Sequence, residues 1–414
     1  MTALAETGIP WPQLKSELSA LKSNDYAWEE GRLPVYVYGY SDELRQVSQE
    51  AFLEFFTENA LGAGRAFPSV KVIEDEVIAM AIDLLGGGPL SGGTFTSGGS
   101  ESIFLALKTA RDRARAERGI DRAKIVMPHS GHATATKAAE YLGMDVVRTP
   151  LTGDLRGDMA ALEAAIDVRT VMLYASAPSY PHGTYDPIEA MGQLALRRGL
   201  WLHVDACVGG FLAPFARELG HPIPPFDLSV AGVTSISADL HKYGFAAKGA
   251  SVVLFADKAV QRHQIFSFSD WPRGNYVTHT AQGTRAAGPI ASSWAVMKRL
   301  GRAGYREIAQ VIMDTTAGLA AGVSAIEGLR VIGRPELCIV LFESSDPAVD
   351  INAVAELMGE REWFVGRSIA PNAIHVAVNP LFTPALPKYL SDLAECVDRA
   401  RASGKVGAVD RNTY

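Results

Sequence analysis

Residues Val233 to Phe255 read VTSISADLHKYGFAAKGASVVLF, and the order of residue types here decides the fold. A β-branched, Ser-rich run with strand character leads to His241 and Lys242. A short glycine-containing bend follows, and then a second strand-like run. A lysine between two apolar strands is predicted to be shielded from bulk water. Desolvation lowers an ammonium pKa and makes the amine nucleophilic enough for Schiff-base chemistry. A lone lysine in a turn is more often a solvated surface residue, so the reading depends on its neighbours.

Upstream, Trp201 to Phe211 reads WLHVDACVGGF, an apolar strand that ends on Asp205. An acid at the carboxyl end of a buried strand is costly unless it meets a cation. A pyridinium nitrogen is such a cation, and an aspartate partner beside a reactive lysine is the signature of a pyridoxal 5'-phosphate site. Further upstream, TSGGSES (96–102) runs into the helical pattern IFLALKTARDRARAE. Gly98, Gly99 and Ser100 would leave backbone N–H groups free at a helix N-terminus, where the dipole favours a phosphate. A Gly-Gly turn alone is usually only a cap; phosphate loop, aspartate and lysine in this order point to one site.

These words, with HATATKAAEYLGM (132–144), SAPSYPHG (176–183) and DWPRGNYVTHTAQGTRAAG (270–288), resemble the sphingosine-1-phosphate lyase branch of the pyridoxal-phosphate-dependent (group II) decarboxylase family. The resemblance covers most of residues 65–300 and implies an aspartate aminotransferase-like fold (fold type I). That fold has a mostly parallel sheet flanked by helices, plus a small C-terminal α/β domain. It also implies a homodimer with shared active sites, acting on a small-molecule amine.

The resemblance implies roles residue by residue. His132 matches the histidine stacked on the cofactor ring, Ser176 lines the same edge, and His241 faces the cofactor phosphate. His182 is a donor to substrate or cofactor oxygen. Lys248 is either a solvated loop lysine or a second active-site lysine facing the substrate, where it would further depress the Lys242 pKa. Gly283 and Thr284 match the turn that completes the phosphate site of the neighbouring subunit. Arg285 binds a substrate carboxylate or holds its loop through an ion pair. An N-terminal tyrosine enters the site from the stretch VYVYGY (35–40), with Tyr36, Tyr38 and Tyr40 all open; the alternation of Val and Tyr predicts a short extended segment.

One departure matters. Where the branch carries Asn-Pro-Leu-His, this chain has Asn59-Ala60-Leu61-Gly62. Asn59 is retained as a substrate-side residue. The histidine associated with the substrate's phosphate end has become Gly62, which supplies neither a donor nor a charge.

At 414 residues the chain is expected to divide into an N-terminal segment (1–64) that contributes to the dimer and active site, a large cofactor domain (65–300) and a small domain (301–414). A net charge of −7 with no basic block argues against nucleic-acid binding. Cys207, Cys338 and Cys396 are far apart and odd in number, which suggests neither disulfides nor a metal site and fits a reducing cytoplasm. The N-terminus lacks a signal-peptide pattern, and no apolar run has the length and purity of a transmembrane segment. The chain is therefore expected to be soluble, without the membrane anchor of eukaryotic relatives.

Strand-like and helix-like segments alternate from KIVM (124–127) to WLHVD (201–205), as in a parallel sheet covered on both faces. Ligands of such sheets sit outside the strands' carboxyl ends. A helical pattern from Phe67 to Leu85 precedes them, and a long one from 292 to about 326 leads into the small domain.

The first reading of function is a carbon–carbon lyase that splits a β-hydroxy amine by retro-aldol cleavage. The alternative is an amino-acid decarboxylase, which the loss of the histidine at Gly62 favours. A cofactor-binding scaffold without turnover is a third reading, opposed by the presence of Lys242, Asp205 and the phosphate loop together.

Overall fold

The computed structural model describes residues 3–410. Its centre is a seven-stranded sheet of β1 (Gly92–Thr96), β2 (Lys124–Pro128), β3 (Asp145–Thr149), β4 (Thr170–Ser176), β5 (Trp201–Asp205), β6 (Val233–Ala238) and β7 (Ser251–Phe255), in the order β1-β7-β6-β5-β4-β2-β3. Strands β2, β4, β5 and β7 are buried along their whole length. Their near-continuous apolar character is what a sheet covered by helices on both faces requires.

The direction of each strand sets the position of the site. β3, β2, β4, β5 and β6 run parallel, β7 runs antiparallel to β6, and β1 runs antiparallel to β7. Two reversals leave β1 parallel to β6. The carboxyl ends of β1, β2, β4, β5 and β6 therefore share one edge. Ser176, Asp205 and Ser237 stand side by side across it.

The crossover helices Ala133–Tyr141, Met159–Ala164 and Ile188–Arg198 lie where the alternation placed them. So does the Pro68–Leu84 helix. The long helix runs Gly288–Ser324 and is broken at Gly301, whose φ of 55° is left-handed. Beyond it a four-stranded antiparallel sheet, in the order Leu329–Val331, Ile339–Ser344, Asn372–Ala377, Gly366–Ile369, packs with the Ile351–Gly359 and Leu386–Ser403 helices. A small hairpin, Phe266–Phe268 with Tyr276–Thr278, stands apart from both sheets.

The stretch from Val35 to Tyr40 is a correction. It forms no strand, and Tyr36 adopts a positive φ of 61°. The tyrosine rings pack separately instead: Tyr36 meets Phe364 and Tyr38 meets Tyr243.

Candidate active site

A cavity of about 310 Å³ opens at the shared strand edge. It is lined by Ser97 to Glu101 from the turn after β1, His132 and Thr134 after β2, Asp205 and Cys207 after β5, and Asp239, His241 and Lys242 after β6. Residues from four separate words of the sequence meet here because those strands end on one edge.

Gly98 caps the Gly99–Arg118 helix with a φ of 152°. A Cβ on Gly99 would lie 2.7 Å from Cys207 Sγ and 2.9 Å from Asp239 Oδ1. The glycines keep this end of the helix open to a phosphate. Glu101 closes the turn behind it, accepting bonds from the Ser97 N–H (2.7 Å) and hydroxyl (2.8 Å).

Asp205 is 8% exposed. It accepts a 2.5 Å bond from the buried Tyr174 hydroxyl and a 3.0 Å bond from the Cys207 N–H. Burial works against its ionisation, but the facing His132 and these two bonds outweigh it and hold the carboxyl below its ordinary range. His132 is itself pushed down by desolvation. A neutral His132 leaves the Tyr174 and Cys207 bonds as the groups that keep Asp205 charged. His132 Nδ1 accepts from the Thr134 N–H at 3.2 Å, capping its helix and fixing the ring.

Lys242 departs from expectation. Desolvation is the largest single influence and acts to lower its pKa, yet the Asp239 carboxylate, 2.9 Å from Nζ, together with the fields of Cys207 and Tyr38 outweighs it and raises the pKa well above the ordinary lysine value. The depression falls on Lys248 instead. Desolvation and the Lys242 charge bring Lys248 down to about 8. Its amine donates to the Tyr36 carbonyl (2.8 Å) and the His241 carbonyl (3.2 Å) and lies 4.9 Å from the Tyr38 ring centroid. Tyr38 is thus the N-terminal tyrosine ring nearest this lysine, while Tyr36 lines a neighbouring cavity and the Tyr40 hydroxyl turns away to Glu307.

The residue that sequence reasoning missed is Asp239, 3% exposed, with one carboxylate oxygen lacking any partner. An acid at a strand end, three positions before a lysine, was the available signal. Tyr174 was likewise unmarked, because nothing in a buried strand announces a hydroxyl that reaches the next strand.

Other residues anticipated at the site do not line this cavity. Ser176 is buried beside Asp205, with its N–H held by Asp186. His182 bonds the Ala370 carbonyl at 2.9 Å, tying its loop to the small sheet. Asn59 bonds Thr284 Oγ1 and the Arg285 N–H, while Gly283 packs under the Tyr276 hydroxyl. Arg285 forms a two-pronged ion pair with Glu74, at 2.6 and 3.3 Å. That engagement leaves its fork committed within the chain, the structural alternative of its two readings. His241 does line the cavity, with Nδ1 accepting from the Ala250 N–H at 3.1 Å and burial pushing its pKa down.

The residues fit pyridoxal 5'-phosphate in kind. An open helix N-terminus suits its phosphate, an ionised buried aspartate its ring nitrogen, an imidazole face its ring and a lysine amine its aldehyde. The unpartnered Asp239 oxygen marks the floor as a place built for a further polar group.

Comparison with known proteins agrees. The conserved domain of pyridoxal-dependent decarboxylases matches residues 66–345. The chain is 40% identical over 400 residues to the sphingosine-1-phosphate lyase of Oryza sativa subsp. japonica, which spans 94% of this chain and 73% of that protein. It is 41% identical over 391 residues to the sphingosine-1-phosphate lyase of Arabidopsis thaliana, spanning 92% and 71%. The solved sphingosine-1-phosphate lyase of Burkholderia pseudomallei superposes with a TM-score of 0.93 at 38% identity, covering 97% of this chain and 94% of that one. The fold is that of the pyridoxal-phosphate-dependent decarboxylases and lyases, and the chain belongs to the pyridoxal-dependent decarboxylase family as a pyridoxal 5'-phosphate-dependent lyase.

Proposed function

We propose that the protein cleaves a phosphorylated long-chain β-hydroxy amine of the sphingosine 1-phosphate type between its amine-bearing and hydroxyl-bearing carbons, giving an aldehyde and a phosphorylated amine. The observation that carries this choice is the second lysine. Retro-aldol cleavage must remove a hydroxyl proton, whereas loss of carbon dioxide leaves no such proton to remove. Lys248, with a pKa of about 8, is a base suited to that task near neutral pH.

Bound pyridoxal phosphate supplies an electron sink for the bonds at the substrate's α-carbon. In this reading Gly98, Gly99, Ser100 and His241 hold its phosphate, Asp205 its ring nitrogen, His132 its ring and Lys242 its aldehyde carbon. Tyr174 keeps Asp205 oriented and charged. Asp239 would anchor the Lys242 ammonium whenever that amine is free of the cofactor, and Lys248 would accept the substrate's hydroxyl proton beside Tyr36 and Tyr38.

Two copies are proposed to share their sites, with the Gly283–Thr284 turn and Asn59 serving the partner. What supports this is that these residues are built into one braced loop of their own chain yet do not line its cavity. The kink at Gly301 and the separate four-stranded sheet support division into segments 1–64, 65–300 and 301–414. No helix of the described residues is long and apolar enough to cross a membrane. A cytoplasmic location is proposed on the three free cysteines.

The test is to incubate the holoenzyme with sphingosine 1-phosphate and trap carbonyl products with a hydrazine. A long-chain aldehyde with an equal amount of phosphoethanolamine is expected. Decarboxylation is the second reading, favoured by Gly62, and it predicts carbon dioxide from an amino acid with no aldehyde.

A further inference from the structure

A second cavity, of about 480 Å³, adjoins the first through His132, which lines both. It runs from Tyr36, whose carbonyl holds Lys248, to Arg367 on the small-domain strand Gly366–Ile369. Two features of its lining lack the partners their chemistry calls for. Arg367 is half-buried and uses its guanidinium only on Asn352, at 3.0 Å to the side-chain oxygen and 3.5 Å to the carbonyl. No carboxylate among the described residues lies within ion-pair distance of it. Ser130 is 3% exposed, and its hydroxyl has no hydrogen-bond partner. A half-buried charge with no ion-pair contact, and a buried hydroxyl without a partner, are each destabilising unless a ligand completes them.

The third element is the N-terminus of the nine-residue Ala133–Tyr141 helix, since Ala133 also lines this cavity. Its dipole favours an anion at Ala133, although His132 already takes the Thr134 and Ala135 N–H groups. Two acids share the lining, but Glu356 is satisfied by Lys405 at 2.9 Å and the Ala408 N–H at 2.7 Å. Asp410, on the C-terminal segment beyond that anchor, acts on Arg367 through its field, as do Glu356 and Asp350.

We infer that this cavity is the anion subsite of the substrate, with Arg367 and Ser130 as specificity-determining residues that bind a phosphate monoester on the amine. The assignment rests on the cleavage reading above and extends it: the phosphate recognition withdrawn at Gly62 is supplied from the small domain instead. A guanidinium fork, a hydroxyl and a helix N-terminus together offer donors in several directions, which suits a tetrahedral phosphate better than a planar carboxylate.

The test compares wild type, Arg367→Ala, Arg367→Lys and Ser130→Ala holoenzymes. Calorimetric titration with inorganic phosphate should show affinity falling about tenfold or more in Arg367→Ala, and less in the Lys and Ser130 variants. KM for sphingosine 1-phosphate should rise by a similar factor, while KM for unphosphorylated sphingosine stays unchanged. Phosphate affinity equal in wild type and Arg367→Ala would overturn the assignment, as would equal rises in both KM values. Arg367-dependent phosphate binding in a protein that releases no aldehyde would leave this subsite standing and defeat the cleavage reading alone. Discrimination in favour of a carboxylated amine would overturn the choice of phosphate.

Discussion

Lys242 Nζ sits 2.9 Å from Asp239 Oδ2, three residues back along the turn that leaves β6, in a cavity where both would otherwise be desolvated. The pair sets the protonation state from which the site starts. Because the Lys242 pKa is raised in the folded protein, the pair stabilises the fold below the ordinary lysine value of 10.5 for as long as Asp239 is a carboxylate. That contribution is lost as pH climbs through the higher folded value. Asp239→Asn removes the countercharge and leaves desolvation with less to oppose it. Capture of cofactor by the apo protein, followed by stopped-flow absorbance at pH 7, should then speed up by about tenfold for each unit the pKa falls. An unchanged pH dependence of capture would contradict this account of the lysine.

Tyr174→Phe deletes the 2.5 Å bond to Asp205 and leaves that buried carboxylate with weaker support. Denaturant unfolding should show a loss of about 1.5–3 kcal/mol, the range for hydrogen bonds to charged groups. The Asp205 pKa is depressed in the folded protein, so the stability it contributes is lost as pH falls through the folded value. Without Tyr174 that pKa rises, and the acid limb of the activity profile should move to higher pH. An acid limb that stays in place would remove Tyr174 from this role.

The sequence carried the site further than it carried the surroundings. Gly98, Gly99, Ser100, His132, Asp205, His241 and Lys242 were legible because each follows a strand, and strand ends of one direction must share an edge. Asn59, Thr284 and Arg285 were legible as a group but not in their connections, since the Glu74 that holds Arg285 lies 211 residues away on the Pro68–Leu84 helix. The Val35–Tyr40 segment misled because a Val–Tyr alternation does not disclose the left-handed backbone at Tyr36 that interrupts the extended run. The direction of the Lys242 shift was missed for one reason: burial was read from the flanking strands, and the acid three residues away was not weighed against it.

Lys248 should impose an ascending limb on the pH profile of catalysis. A lysine accepts a proton only when neutral, so kcat/KM should rise with pH through about 8 and then level off. Lys248→Met should lower kcat/KM by about 100-fold or more and abolish that limb, in line with the usual contribution of a general base. A wild-type profile that is flat between pH 7 and 9 would rule out the lysine as the base.

Gly99→Ala places a methyl 2.7 Å from Cys207 Sγ and 2.9 Å from Asp239 Oδ1, where the cofactor's phosphate end is proposed to lie. Equilibrium dialysis should show cofactor affinity falling by about tenfold or more, a loss of at least about 1.4 kcal/mol. Circular dichroism of the apo variant should retain the wild-type secondary structure. Undiminished affinity would mean that the cofactor phosphate binds elsewhere.

The most direct test of the central claim is to reduce the cofactor-loaded protein with borohydride, digest it and map the modified peptide by mass spectrometry. The account predicts the reduced cofactor on Lys242, and loss of that peptide's modification in Lys242→Ala. Modification at Lys248, or retention of the cofactor's mass in the Lys242→Ala variant, would contradict it.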